Sequence, residues 1–277
     1  ENRYDASIQG LVASIPSYTQ LGMASLLPNT DIKIDEGNDA VSVDGMSSSG
    51  VIGRAKILQH NSEARATAIK ADDFMQLNAN TDGREFVKQY DVIYIYHNRI
   101  DKTGDDKTTE DKVFDAVEDE LDFFMEMLKK ISNMNGNNML ITSDHGFLYQ
   151  YQNIDESDYI KLEVKGHVVK YNRRFVLGND ITANDTVKQF TQKQLGLSST
   201  GNVLIPKSVN RLRVKGAGSK FVHGGASLQE IIIPVIKVNK KRQDTTTFVE
   251  IDIIKSTDKI TTNLLPNIGT YKPIVYE

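Results

Sequence analysis

The sequence predicts an α/β domain, with a mostly parallel central sheet flanked by helices and a basic β subregion inserted into it. Three observations carry this. Short strands rich in β-branched residues alternate with a long amphipathic helix. Residues able to ligate metal stand beside those strands, and open α/β sheets gather ligands at strand carboxyl ends. The composition is that of a globular chain, with 39% hydrophobic and 25% charged residues in 277 and 19 glycines besides.

Taken in order, a helix is expected to begin near Tyr18 and a second to cover Asn61 to Asp73. The first clear strand is Asp91 to Tyr96. A long helix from about Glu110 to Asn133 follows, with Phe114, Val117, Leu121, Phe124, Leu128 and Ile131 spaced by three and four as a sheet-facing stripe. Asp111 and Asp115 near its start and Lys129 and Lys130 near its end suit the helix dipole, and Thr108 with Asp111 fits a capping box. The strand Met139 to Thr142 closes a strand, helix, strand crossover, which implies parallel strands. Shorter β-like patterns over Lys161 to Leu177 and Val203 to Val214 define the insertion, about 155–220, and Glu230 to Val238 is the last core strand. The core is expected over 1–240. The tail 241–277, in which Phe248 to Ile254 alternates like a half-buried strand, reads as a C-terminal β segment or the start of another domain.

Charge is uneven although the total is only -4, from 33 Lys and Arg against 37 Asp and Glu. Asp101 to Glu126 holds eleven acids against three lysines, whereas Lys161 to Phe221 holds twelve Lys or Arg against three acids. The basic stretch reads either as a solvated face or as a wall that attracts phosphate. The absence of cysteine excludes disulfides and thiolate metal sites and suits a reducing cytoplasm. The longest apolar run, Ile231 to Ile236, is too short to cross a bilayer, so no membrane association is expected. The chain opens on Glu1-Asn2-Arg3 with neither an initiator Met nor a signal peptide and reads as part of something longer.

Chemistry concentrates in four places. Tyr96 to Asp105 contains His97, Asp101 and Asp105, and the turn after the next strand carries Asp144 and His145 side by side. His223-Gly224-Gly225 precedes the last strand. Carboxylates and imidazoles without thiolates suit Zn or Mn. Two such ions roughly 4 Å apart can stabilise the entering and leaving oxygens of a phosphoryl transfer. The fourth place is Ser14 to Pro28, where Thr19 stands near a helix N-terminus, either as a nucleophile or, like Ser17, as an N-cap. His97 serves either the site or the fold. Arg173 and Arg174 are the pair in the basic stretch best suited to grip a phosphate bidentately. Tyr149 and Tyr151 could stack on a base or simply pack.

Pro16-Ser-Tyr-Thr-Gln-Leu-Gly-Met-Ala-Ser-Leu-Leu-Pro28, Tyr96-His-Asn-Arg-Ile-Asp-Lys-Thr-Gly-Asp105, Thr142-Ser-Asp-His-Gly-Phe147 and His223-Gly-Gly-Ala-Ser-Leu-Gln-Glu-Ile-Ile-Ile-Pro234, in this order, resemble the PglZ domain of the alkaline phosphatase superfamily. The resemblance covers about residues 1–240. It implies an alkaline phosphatase-like fold and a metal-dependent phosphoric ester hydrolase of bacterial BREX and phage growth limitation defence. Thr19 takes the nucleophile position, Asp144 and His145 match ligands of one metal, and Asp101 and His223 match ligands of the other. The implied cofactors are two divalent ions, Zn or Mn with Mg as an alternative. The implied partners are a phosphate ester, either DNA or a nucleotide, and other BREX proteins. Two departures stand out. Asp105 occupies a position where the wider superfamily has histidine, and the superfamily's upstream metal-ligand aspartate, with its strand and helix, is expected to be missing. A catalytically weak scaffold or nucleic-acid-binding subunit is therefore the alternative function.

Overall fold

The computed structural model describes residues 3–216 and 218–241, and the expected strand at Phe248 to Ile254 and the segment 241–277 lie, apart from Lys241, outside them. In chain order the elements begin with β1 (Tyr4–Val12), α1 (Thr19–Ser25), β2 (Ile32–Ile34), β3 (Val41–Val43), β4 (Met46–Ser47), α2 (Gly50–Asn61), β5 (Ala66–Lys70), α3 (Ala71–Gln76) and α4 (Asp82–Gln89). There follow β6 (Val92–Tyr96), α5 (Arg99–Gly104), α6 (Val113–Asn133), β7 (Asn138–Thr142), β8 (Leu148–Tyr149), β9 (Tyr159–Ile160), β10 (Lys165–Tyr171), β11 (Val176–Thr182), β12 (Val187–Thr191), β13 (Asn202–Pro206), β14 (Arg211–Leu212), β15 (Phe221–Val222), α7 (Leu228–Ile231) and β16 (Ile232–Lys240). Among the described residues, no helix is long and apolar enough to cross a membrane.

The α/β class holds. The ladders within it mix directions: β16 lies between β1 and β7 and is antiparallel to both, whereas β6 pairs in parallel with β5. The crossover through α6 is formed, but β6 and β7, expected as parallel neighbours, are not hydrogen-bonded to one another. Instead β7 takes its ladder from β16, which returns from far along the chain with Ile233, Val235 and Val238 buried. A four-stranded antiparallel sheet, in the order β10-β11-β13-β12, stands apart from these ladders.

Two local expectations are corrected. The helix expected over Asn61 to Asp73 is a strand, β5, followed by the short α3, because Ala66 to Lys70 completes a parallel ladder against β6. The register of a partner strand outweighs the helix propensity of two alanines. The helix before it, α2, starts with one glycine and holds another at Gly53, so its propensity is poor, and burial of Ile57 and Leu58 holds it.

In α6 the buried stripe matches the expected one only at its C-terminal end, at Leu128 and Ile131. Val113, Ala116, Glu120, Met127 and Leu128 turn inward, whereas Phe114 and Leu121 are 59% and 63% exposed. Both stripes have helical spacing, and the observed one brings Phe123 and Met127 beside Ile131 against Phe74 and Met134 while Glu120 reaches His97 just after β6. The capping box is not formed either. A turn of 3-10 helix at Glu110–Lys112 leads into α6, and the Thr108 hydroxyl donates instead to Asp106 at 2.7 Å.

The main apolar cluster joins α1 and α2 to β3, to Phe175 just before β11 and to Leu177, Val203 and Ile205 of the four-stranded sheet, so the segment around Thr19 rests on a packed base. Most lysines of the basic stretch are exposed, but Arg173, Arg174 and Arg211 are buried.

Candidate metal centre

Thr19 is the first residue of α1. Tyr18 provides no side-chain cap, and Ser17 is occupied elsewhere, its hydroxyl donating to the Gly225 carbonyl at 2.8 Å. The Thr19 hydroxyl is therefore free of capping duty and lies 3.2 Å from His145 Nε2. The close approach of α1 to the turn after β7 requires glycine at position 22: a Cβ there would lie 2.4 Å from the Asp144 carbonyl oxygen. Gly146 meets the same constraint on the other side, where a Cβ would come within 2.1 Å of the Gln229 carbonyl oxygen.

Asp101, in the first turn of α5, and His223, just after β15, converge on this turn. One ligand atom each from Asp101, His145 and His223 lie within 4.8 Å of one another. His145 Nε2 stands 3.4 Å from Asp101 Oδ2 and 3.5 Å from Asp144 Oδ2, and the two imidazoles stack at 3.9 Å. Each ring presents Nδ1 to a backbone carbonyl, His145 to Gly146 at 3.1 Å and His223 to Ser17 at 3.4 Å. With Nδ1–H donating there, both Nε2 atoms face the cluster, the arrangement metal-ligating histidines use.

Burial pushes the Asp144 carboxyl up, with the charge of Asp101 adding to it. Burial acts the same way on Asp101, but hydrogen bonding and charge from His145, with the charge of His223, reverse it and leave Asp101 below the usual range. Burial opposes the charge on His145, yet Asp101 and Asp144 hold it up to about 9.

The residues fit divalent metal. Asp144 Oδ2 is buried and makes no hydrogen bond, with His145 Nε2 at 3.5 Å as its ion-pair neighbour, so it retains an acceptor site that a metal ion would satisfy. Asp144, His145, Asp101 and His223 form a mixed carboxylate and imidazole donor set. Asp105 lies at the rim, its side chain 62% exposed and Oδ1 3.6 Å from His223 Nε2.

Three expected substrate residues lie elsewhere. His97 Nδ1 pairs closely with buried Glu120, and its ring stacks on Phe123 at 4.6 Å, so it braces β6 against α6 rather than joining the cluster. Arg174 is fully buried, with Nε and one terminal nitrogen each 2.9 Å from the Glu230 carboxylate and further bonds to the Ser208 and Asn210 carbonyls. Arg173 is buried too and donates to the Gly218 carbonyl. A buried guanidinium binds whatever oxygens the fold supplies, and here these belong to the chain itself. Tyr149 packs edge-on against Phe114, and Tyr151 is 70% exposed beneath the Lys220 ammonium.

Sequence reasoning missed Glu230. Its carboxylate accepts from Gly225 N–H at 2.8 Å and from the Ser227 hydroxyl at 2.7 Å, so it anchors the His223 loop. The signal was present, since Ser227 and Glu230 have capping-box spacing, and the box is formed at α7.

Comparison with known proteins adds a family and a fold. The profile of the family described as "BREX system PglZ alkaline phosphatase-like domain" matches residues 1–238. The chain is 38% identical over 242 residues to the alkaline phosphatase-like protein BrxZ of Escherichia coli, covering 86% of this chain and 27% of that protein. It is 34% identical over 270 residues to the alkaline phosphatase-like protein PglZ of Bacillus cereus, covering 95% of this chain and 31% of that protein. The chain thus spans about a third or less of the length of these relatives. Among solved structures, murine ectonucleotide pyrophosphatase/phosphodiesterase 5 superposes with a TM-score of 0.52 at 10% identity, covering 83% of this chain and 78% of that one. An inactive variant of the same protein in complex with AMP gives the same TM-score.

Proposed function

We propose, from the premise that the chain belongs to the PglZ family of BREX alkaline phosphatase-like domains, that it supplies the hydrolytic centre of a metal-dependent phosphoric ester hydrolase. The observation that carries this reading is the Thr19 hydroxyl, uncapped and 3.2 Å from His145 Nε2 inside the Asp and His cluster. Asp144, His145, Asp101 and His223, with Asp105 at the rim, would hold two divalent ions. These are Zn or Mn, with Mg as an alternative, and when bound they supply Lewis-acid stabilisation of the phosphoryl oxygens and a lowered alkoxide pKa.

The chain's own residues then divide the work. Asp101, which also hydrogen-bonds Thr19, orients the hydroxyl as Thr19 Oγ1 attacks phosphorus, and the hydroxyl proton passes to the ester oxygen, which departs with its bonding electron pair as the alcohol. A water molecule then cleaves the phosphothreonine, which releases phosphate and returns the proton to Oγ1. Gly22 and Gly146 keep the Asp144 turn pressed between α1 and α7, so the reacting oxygen and the ligands stay within reach of each other.

The substrate class is a phosphate ester, with a nucleotide or DNA as the member suited to phage defence. The AMP complex of the murine relative agrees with a nucleotide. We place the protein in the cytoplasm, acting with other BREX components. Thr19→Ala and Asp144→Ala are each expected to abolish turnover of mono- and diester phosphates by the Mn- or Zn-loaded chain while leaving its circular dichroism unchanged. Turnover that survives both substitutions refutes the reading. The exposed Asp105 carboxylate favours a second reading, a scaffold with weak metal affinity. That reading requires DNA or partner binding which persists in Thr19→Ala without any turnover in the unsubstituted chain.

A further inference from the structure

Beside the cluster stand two side chains to which the mechanism above gives no role. Arg54, in α2, is fixed from two directions. Its Nε donates to the Ser48 carbonyl at 3.1 Å, and its Cζ lies 4.6 Å from the centroid of the Tyr96 ring. A guanidinium stacked on an aromatic face keeps its outer edge available for hydrogen bonding. Arg65, Arg99, Arg174 and Arg213 each have a carboxylate within ion-pair distance, but among the described residues none pairs with Arg54.

Tyr96 closes β6, the strand that runs into Asp101, so this platform stands at the same carboxyl end as the ligands. Its hydroxyl is buried and faces the Arg54 guanidinium, and the buried Asp144 Oδ2 makes no hydrogen bond among the described residues. Burial raises the Tyr96 phenol, Arg54 opposes the rise through its charge and a hydrogen bond, and the charge of Asp144 adds to it, so the Arg54–Tyr96 pair lies within the field of the cluster. A guanidinium without a carboxylate partner, stacked on a ring at the edge of the cluster, is suited to an anionic acceptor with more than one oxygen.

We propose that Arg54, held flat by Tyr96, is a substrate-binding residue that grips a nonbridging oxygen of the phosphoryl group presented to Thr19, and likewise binds the inorganic phosphate released. The inference rests on the hydrolase reading. It replaces Arg173 and Arg174 as the arginine grip, because those two spend their donors inside the fold.

The test measures binding of inorganic phosphate to the metal-loaded chain by titration calorimetry at fixed salt, with retained metal counted by elemental analysis. Arg54→Ala is expected to weaken phosphate binding by about tenfold or more, the scale of one charge-assisted hydrogen bond, with metal content unchanged. Arg54→Lys keeps the charge without the fork and is expected to recover part of the loss. Tyr96→Phe keeps the ring without the hydroxyl and is expected to weaken binding by only about threefold. In turnover assays the Arg54→Ala defect should fall mainly on KM. Because Arg54 also anchors Ser48, melting midpoints are compared, and Arg54→Lys serves if the alanine variant unfolds. Phosphate binding and KM within twofold of the unsubstituted chain in both Arg54 variants overturn the inference while leaving the hydrolase reading intact. Failure of the unsubstituted chain to retain metal or bind phosphate removes that reading, and the inference with it.

Discussion

The metal-ligand cluster and the basic β region handle charge in opposite ways. In the cluster, Asp101, Asp144, His145 and His223 face one another, and the buried Asp144 Oδ2 makes no hydrogen bond and has His145 Nε2 at 3.5 Å, so the arrangement keeps an acceptor open to a cation. In the basic region Arg173 and Arg174 look like phosphate ligands in the sequence, yet they, like Arg211, donate to backbone carbonyls, and Arg174 also to Glu230. The comparison teaches that a charged residue announces a ligand site only when the fold leaves its donors or acceptors unsatisfied. Polar residues whose partners all come from the chain are structure, whatever their number.

The sharpest way to break the contrast is to remove one partner of the buried pair. Arg174→Ala strands the Glu230 carboxylate, which is buried at 0% exposure, and should cost about 3–5 kcal/mol in urea unfolding. It should also lower metal retention, because Glu230 anchors the His223 loop. A phosphate-binding defect without loss of stability would contradict the structural assignment and restore Arg174 to the substrate.

The cluster should answer to pH and metal where the basic region does not. His145 is raised to about 9 in the folded chain against about 6.5 unfolded, so its stabilising contribution is complete below about pH 6.5 and is lost as pH rises through about 9. For a group this buried the expected loss is about 3 kcal/mol in chelator-treated protein. Saturating Zn should reverse the trend, since ligation requires the deprotonated ring and strengthens as pH rises. Thermal melts from pH 6 to 9.5, with chelator and with Zn, check both slopes.

Gly22→Ala probes the packing between α1 and the Asp144 turn. With 2.4 Å available to the new methyl group, the expected cost is about 1–3 kcal/mol, together with weaker metal retention. The smallest effect is expected at Arg213, whose pairing with Glu156 is exposed. Arg213→Ala should leave the denaturation midpoint and the metal content where they are, and a measurable loss of either would mean that this face is more than a solvated surface.

Much of the candidate site was legible because its ligands lie in short strings that follow or precede a strand. Asp144 and His145 are adjacent in sequence, Asp101 follows β6 by a few residues, and Thr19 opens a helix the sequence also marks. Such strings survive as local geometry, so the order of motifs carried both the family and the cluster. His97 belongs to the same string as Asp101, but its side chain turns to Glu120 on α6, a partner 23 residues away. Arg54 gave no signal, because its relation to Tyr96 exists only after α2 packs beside β6.

What the sequence determined by itself was therefore the α/β class, the strands at β6, β7 and β16 and the extent of α6, set by periodicity and by neighbours a few positions apart, while its motifs, through the family they resemble, pointed to the residues that the fold gathers in the cluster. Tertiary structure alone decided which stripe of α6 faces inward, whether Ala66 to Lys70 becomes strand or helix, that β16 separates β1 from β7, and that Arg173 and Arg174 turn into the fold. Each of these depends on a partner tens to hundreds of residues away, and a side chain's burial is a property of that partner as much as of the residue.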